Sequence, residues 1–248
     1  MLPITYLAVL FLAFLSGLTT LIGVALAIKF GECKKGMIIG LGFAAGIMLL
    51  ISFFELIPES LGAVGIQRSL IALSLGILLF AALNFLIPHT HLVREKGHLD
   101  SHLYKTAYLV AIGLVLHDFP EGFAMANSYI FSPSLGLLIA ISIAIHNIPE
   151  EFAMATPIVL VKEKSFLFKA AFFSGLAEPA GAIVGLFAVH FMAALNPLFM
   201  SFAAGAMIFV AIHELLPMAA TYKKIPLFIL GVILSAFVYL GLTLLIPE

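Results

Sequence analysis

Apolar runs of about 20 residues, the length that the hydrocarbon core of a bilayer demands, recur along this 248-residue chain from one end to the other. They fall near 4–28, 36–58, 67–88, 103–128, 133–161, 166–193, 197–220 and 226–246, which predicts eight transmembrane helices. In lipid the backbone has no water to bond, so only helices and closed barrels can span, and runs of this length are helical. The expected fold class is therefore an all-α membrane protein. Composition agrees, with 63% hydrophobic and 10% charged residues, where a soluble domain carries roughly 25% charged. The lone cysteine, Cys33, excludes an intramolecular disulfide and a cysteine-rich metal cage. No Lys or Arg precedes the first run and no small-residue cleavage site follows it, so it reads as a retained span.

The connectors are short: Gly31-Glu32-Cys33-Lys34-Lys35, Lys162-Glu163-Lys164 and Lys223-Lys224, with a longer stretch from His89 to His102. None is large enough to fold alone, so residues 1–248 read as a single transmembrane domain. The net charge of −1 says little, but its distribution says much. Lys29, Lys34, Lys35, Arg94, Lys96, Lys105, Lys162, Lys164, Lys169, Lys223 and Lys224 fall at or in loops 1–2, 3–4, 5–6 and 7–8, and only Arg68 lies on the opposite side. Basic residues mark the cytoplasmic side. Both termini are expected to be extracytoplasmic, in a multi-pass protein of the plasma (inner) membrane, with 89–102 as a His-rich cytoplasmic loop.

Two repeats organise the spans. Phe43-Ala44-Ala45-Gly46, Met48 and Glu55-Leu56-Ile57-Pro58 match Phe202-Ala203-Ala204-Gly205, Met207 and Glu214-Leu215-Leu216-Pro217 at an offset of 159. Ser16-Gly17-Leu18 with Gly23 matches Ser174-Gly175-Leu176 with Gly181 at an offset of 158. Spans 1 and 2 thus resemble spans 6 and 7, five helices on, and an odd shift reverses direction across the membrane. The second repeat joins spans 4 and 5, where His117-Asp118-Phe119-Pro120-Glu121-Gly122-Phe123-Ala124-Met125-Ala126 recurs as His146-Asn147-Ile148-Pro149-Glu150-Glu151-Phe152-Ala153-Met154-Ala155. The simplest geometry is a 3+2+3 inverted repeat about an axis in the membrane plane, an architecture of transporters.

Within the spans or at their ends lie Glu55, Asp118, Glu121, Glu150, Glu151, Glu178 and Glu214, with His117, His146 and His213, and no Lys or Arg deep enough to neutralise them. Such carboxylates must be protonated or share a bound cation. Imidazoles beside them favour a divalent transition metal over an alkali ion. His117 and Glu121 lie one helical turn apart, as do His146 and Glu150. Together the two faces offer two nitrogens and two carboxylates, an adequate shell for Zn²⁺ or Fe²⁺. Asp118 and Asn147, about 100° further round their helices, suit a second metal that shares Glu121 and Glu150 as bridges, with Glu178 as a further ligand. Pro120 and Pro149 leave the carbonyls of Leu116 and Ile145 without their helical donors, beside the same site. Glu55, Glu151, His213 and Glu214 are candidates for a route into or out of the site. His89, His91, His98 and His102 are candidates for collecting metal on the cytoplasmic side, and His190 reads as structural or interfacial.

The paired motifs at His117–Met125 and His146–Met154 resemble the signatures of the fourth and fifth spans of the ZIP family of divalent metal transporters, its prokaryotic branch above all. The eight-span layout, external termini, His-bearing loop, Glu178-Pro179 and Glu214 fit the same resemblance, which covers the whole chain. It implies one metal held by His117, Glu121, His146 and Glu150, and a second completed by Asp118, Asn147 and Glu178. Two positions depart from the family pattern: Asp118 stands where Asn is common, and Glu151 where Gly is common. Both make the site more negative.

The expected function is transport of a divalent cation, Zn²⁺ first and Fe²⁺, Mn²⁺ or Cd²⁺ next, toward the cytoplasm, with the metal as substrate and no catalytic cofactor. An intramembrane zinc hydrolase, whose metal would activate water, is the alternative from another class. A membrane metal sensor is disfavoured, because no soluble output domain is apparent. The expected partners are metal ions and lipid, not nucleic acid, and a homodimer is one assembly the sequence allows.

Overall fold

The computed structural model describes residues 4–31, 33–86, 117–159 and 164–246. Among these residues there is no strand. The helices are α1 (Ile4–Phe30), α2 (Lys34–Val64), α3 (Ile66–Leu86), α4 (117–131), α5 (Pro133–Val159), α6 (Lys164–Phe191, with a turn at Leu176), α7 (Ala193–Ala220) and α8 (Ile225–Leu245). Among the described residues, α1, α2, α3, α5, α6, α7 and α8 are each long and apolar enough to cross a membrane. The start of the fourth predicted span and the loop carrying His89, His91, His98 and His102 lie outside the described residues.

Most boundaries fall within about a turn of their sequence expectation, and α2 is the exception. The apolar run was expected to end at Pro58, yet the helix continues to Val64 and stops at Gly65, whose φ of 83° needs no side chain. A proline inside a helix lacks the N–H and presses on the carbonyl four residues earlier. Here the chain first widens into one π-turn, Ser52–Leu56, where the Ile57 N–H reaches back to the Ser52 carbonyl. The proline ring then fits without ending the helix. The same device stands in α7, where Ala211–Leu215 forms a π-turn and the Leu216 N–H reaches Ala211 just ahead of Pro217. The two Glu-Leu-x-Pro segments therefore share a backbone conformation as well as a sequence.

In the packing, α1 lies against α5 and α6, α2 against α5 and α8, and α3 against α7. Over their most apolar stretches α2 and α7 are 67% and 61% buried, against 22% for α3 and α8, so the latter two form the outer flanks. Phe85, Phe237 and Leu244 point outward from them, as lipid-facing side chains do. Between membrane helices there is little hydrophobic driving force, and close backbone approach at small residues takes its place. Gly17 of α1 and Gly175 of α6 supply the tightest example. A Cβ on Gly17 would sit 2.0 Å from the Gly175 carbonyl oxygen, and one on Gly175 would sit 2.2 Å from that of Gly17. These are the glycines of the Ser-Gly-Leu repeat.

Gly17→Ala should lower the thermal midpoint of the purified protein in detergent, by the equivalent of about 1–3 kcal/mol. Gly62→Ala, in α2 with nothing within 4 Å of the added methyl, should leave it unchanged or slightly raised. An unchanged midpoint in Gly17→Ala would show that α1 and α6 do not meet at this point.

Candidate metal centre

Two glycines bring α4 onto α6. A Cβ on Gly122 would lie 1.9 Å from the Glu178 carbonyl oxygen, and one on Gly181 would lie 2.1 Å from that of Phe119. With no side chain between the backbones, the helix face carrying His117, Asp118 and Glu121 sits directly beside Glu178. On α5 the four-residue spacing puts His146 and Glu150 on one face. His117, Asp118, Glu121, His146, Asn147, Glu150, Glu151 and Glu178 are all buried, while no Lys or Arg is among the buried described residues.

Three side chains converge most closely. Glu121, His146 and Glu150 each present one ligand atom, all within 4.8 Å of one another. His146 Nε2 stands 3.0 Å from Glu121 Oε1 and 3.6 Å from Glu150 Oε2, while its Nδ1 lies 3.0 Å from the Ser142 carbonyl oxygen. A carbonyl only accepts, so Nδ1 carries the proton and donates it to Ser142. His117 approaches Glu150 from the other side, with Nδ1 3.6 Å from Oε1. Its Nε2 pairs instead with Glu214 Oε2 of α7 at 2.5 Å. Both Glu150 oxygens, Glu121 Oε2 and His117 Nδ1 are buried and make no hydrogen bond among the described residues. Buried polar atoms are almost always satisfied. They belong to two carboxylates and an imidazole, the donor types that divalent transition metals take.

A second, all-oxygen group adjoins the first. Asn147 Nδ2 donates to Glu178 Oε1 at 2.5 Å, and Ser174 Oγ donates to Asp118 Oδ2 at 2.6 Å. Ser16 lies at the edge, its carbonyl oxygen 3.4 Å and its hydroxyl 3.5 Å from Asn147 Nδ2. Glu178 Oε2 has no hydrogen-bond partner among the described residues. Carboxylate and amide oxygens suit a harder divalent ion than the imidazole-bearing group does.

The remaining expected residues divide. Glu214 joins the site through His117 and accepts a 2.9 Å hydrogen bond from Asn84 Nδ2 of α3. His213, one residue earlier, is exposed and stacks on Phe209 with ring centroids 4.7 Å apart. Glu55 is buried and accepts a hydrogen bond from the Tyr239 hydroxyl of α8. Glu151 is buried against α1, its Cβ 2.7 Å from where a side chain on Gly23 would begin. His190 is exposed near Tyr6. Sequence reading missed Ser16, Ser174 and Asn84. The serines were in view as the first letters of the Ser-Gly-Leu repeat, and Asn84 as a polar residue in an apolar run.

Residues 94–246 match the family described as ZIP zinc transporter. The chain is similar to the zinc transporter ZupT of Chlorobium luteolum, 35% identical, with 96% of this chain and 97% of that protein covered. It is 36% identical to the zinc transporter ZupT of Streptococcus mutans, with 94% of each covered. The corresponding protein of Chlorobium phaeovibrioides is 37% identical, with 96% and 97% covered.

Glu150→Gln should leave the thermal midpoint measured in chelator at or above the wild-type value, because a buried carboxylate without hydrogen bonds costs about 1–3 kcal/mol. A clear drop in that midpoint would show that Glu150 stabilises the metal-free fold and is not held in wait for a cation.

Proposed function

Because the chain belongs to the ZIP zinc transporter family, we propose that it carries Zn²⁺ into the cytoplasm through the buried cluster on α4 and α5. Members of this family move divalent metal; the chain is a transporter and not an enzyme, and the hydrolase reading is set aside. The observation that carries the site assignment is Glu150. Its two unsatisfied oxygens each stand 3.6 Å from an imidazole nitrogen, one of His117 and one of His146. A tetrahedral zinc with nitrogen and oxygen ligands at 2.0–2.2 Å holds them about 3.4 Å apart, so an ion bridges these gaps with little movement. Glu121 completes the shell. Asp118, Asn147 and Glu178 form the second subsite, with Glu121 and Glu150 shared.

The 3+2+3 arrangement is part of the same reading. The packing of α2 on α8 corresponds to that of α7 on α3, and α1 on α5 corresponds to α6 on α4. The α1–α6 contact at Gly17 and Gly175 then lies on the axis that exchanges the halves, and the matched π-turns support it. With eleven of twelve basic residues on one side, both termini face outward, the loop at 89–102 faces the cytoplasm, and the whole chain forms one domain in the inner membrane. An inside-negative potential drives a divalent ion inward by about 4–5 kcal/mol per 100 mV.

The test is influx into proteoliposomes containing a metal-sensitive dye. Wild type should show Zn²⁺-dependent influx, and His117→Ala and Glu150→Ala should each lose at least about tenfold of it. No influx by wild type with any divalent metal would sink the transport reading. Full influx in both variants would sink the site assignment.

A further inference from the structure

We propose that Glu214 of α7 is a positioning residue for the metal: it fixes the ring of His117 through Nε2 so that Nδ1 faces the ion. This rests on His117 being a ligand, as read above. The two histidines of the site follow one plan. His146 uses Nδ1 to donate to the Ser142 carbonyl of its own helix and presents Nε2 to Glu121 and Glu150. His117 uses Nε2 to pair with Glu214 at 2.5 Å and presents Nδ1 to Glu150. A proton on Nε2 is paired with a carboxylate at 2.5 Å, whereas a proton on Nδ1 would face Glu150 Oε1 only at 3.6 Å. The favoured tautomer leaves the Nδ1 lone pair open toward the cluster. A ligating histidine that donates its other N–H to a carboxylate is thereby oriented and made more basic.

Glu214 is itself held. Its Oε1 accepts from Asn84 of α3, and the π-turn Ala211–Leu215 sets the direction of its helix face. The supports of the two histidines therefore differ. That of His146 belongs to α5 alone, while that of His117 is lent by α7 and α3, which ties the grip on the metal to the packing of α7 against α4.

The experiment measures Zn²⁺ affinity of the full-length protein in detergent for wild type, Glu214→Leu and Glu214→Gln. A glutamine carbonyl still accepts from Nε2–H, and the Asn84 amide can turn to satisfy its NH₂. Glu214→Leu should weaken Zn²⁺ binding about 10–100-fold, while Glu214→Gln should stay within about threefold of wild type. In the metal-free wild type, ¹⁵N-histidine spectra, with His117 assigned by His117→Asn, should show the proton on Nε2. Equal losses in both Glu214 variants would make Glu214 a direct ligand and overturn the proposal, as would unchanged affinity in Glu214→Leu. A neutral His117 ring with its proton on Nδ1 in the wild-type spectrum overturns it without any variant. Wild-type affinity retained in His117→Ala would instead overturn the ligand assignment on which the proposal stands.

Discussion

The structure turns on an acidic core that holds buried histidines but, among the described residues, no buried Lys or Arg. Glu121, Glu150, Glu178 and Asp118 are buried together at membrane depth, and no Lys or Arg is buried among the described residues. Carboxylates in such a place are tolerated only if protonated, hydrogen-bonded or joined by a cation. Asp118 and Glu178 each find one neutral donor, from Ser174 and Asn147, but Glu150 finds none. On the proposed reading, mobile cargo resolves what a fixed Lys or Arg would resolve permanently. A resident basic side chain would fill the site; a passing ion leaves it available for the next.

Bringing those carboxylates close is a matter of removing atoms between helices. Gly122 and Gly181 let α4 and α6 touch at the backbone, and Gly17 and Gly175 do so for α1 and α6. Each contact lies next to a polar residue of the site: Gly122 beside Glu121, Gly17 beside Ser16, Gly175 beside Ser174. The dispersion gained by such close approach is what offsets the repulsion of the acidic groups it brings together. Small-residue packing and acidic chemistry are thus one design, written at adjacent positions.

Much of this was legible in the chain. Runs of bilayer length announced the helices, and a four-residue spacing announced that His117 shares a helix face with Glu121 and His146 with Glu150. What periodicity could not supply was the identity of neighbours from distant segments. Glu214 and His213 are adjacent in sequence and looked equivalent, yet a helical step of about 100° sends one to His117 and the other to the exposed side against Phe209. The extension of α2 past Pro58 was hidden for another reason. A π-turn has no signature in hydrophobic periodicity, so the proline read as an end. Ser16 and Ser174 were visible only as markers of a repeat, because a serine in a helix commonly bonds its own backbone, and nothing local distinguishes one that reaches an adjacent helix.

The repeat also explains why the site is lopsided. Glu55 and Glu214 occupy equivalent places, each in a π-turn ahead of a proline. One meets Tyr239 of α8 and the other meets Asn84 of α3 and His117 of α4. On the proposed inverted repeat, two identical halves would have His146 lean on Glu55 as His117 leans on Glu214. It leans on the Ser142 carbonyl instead. A carbonyl within the same helix moves with its histidine, whereas a carboxylate on another helix need not. The asymmetry therefore separates a histidine whose orientation is constant from one whose orientation depends on helix packing. A transporter must hold its ion and then let it go, and a support lent by another helix changes whenever the packing of that helix changes.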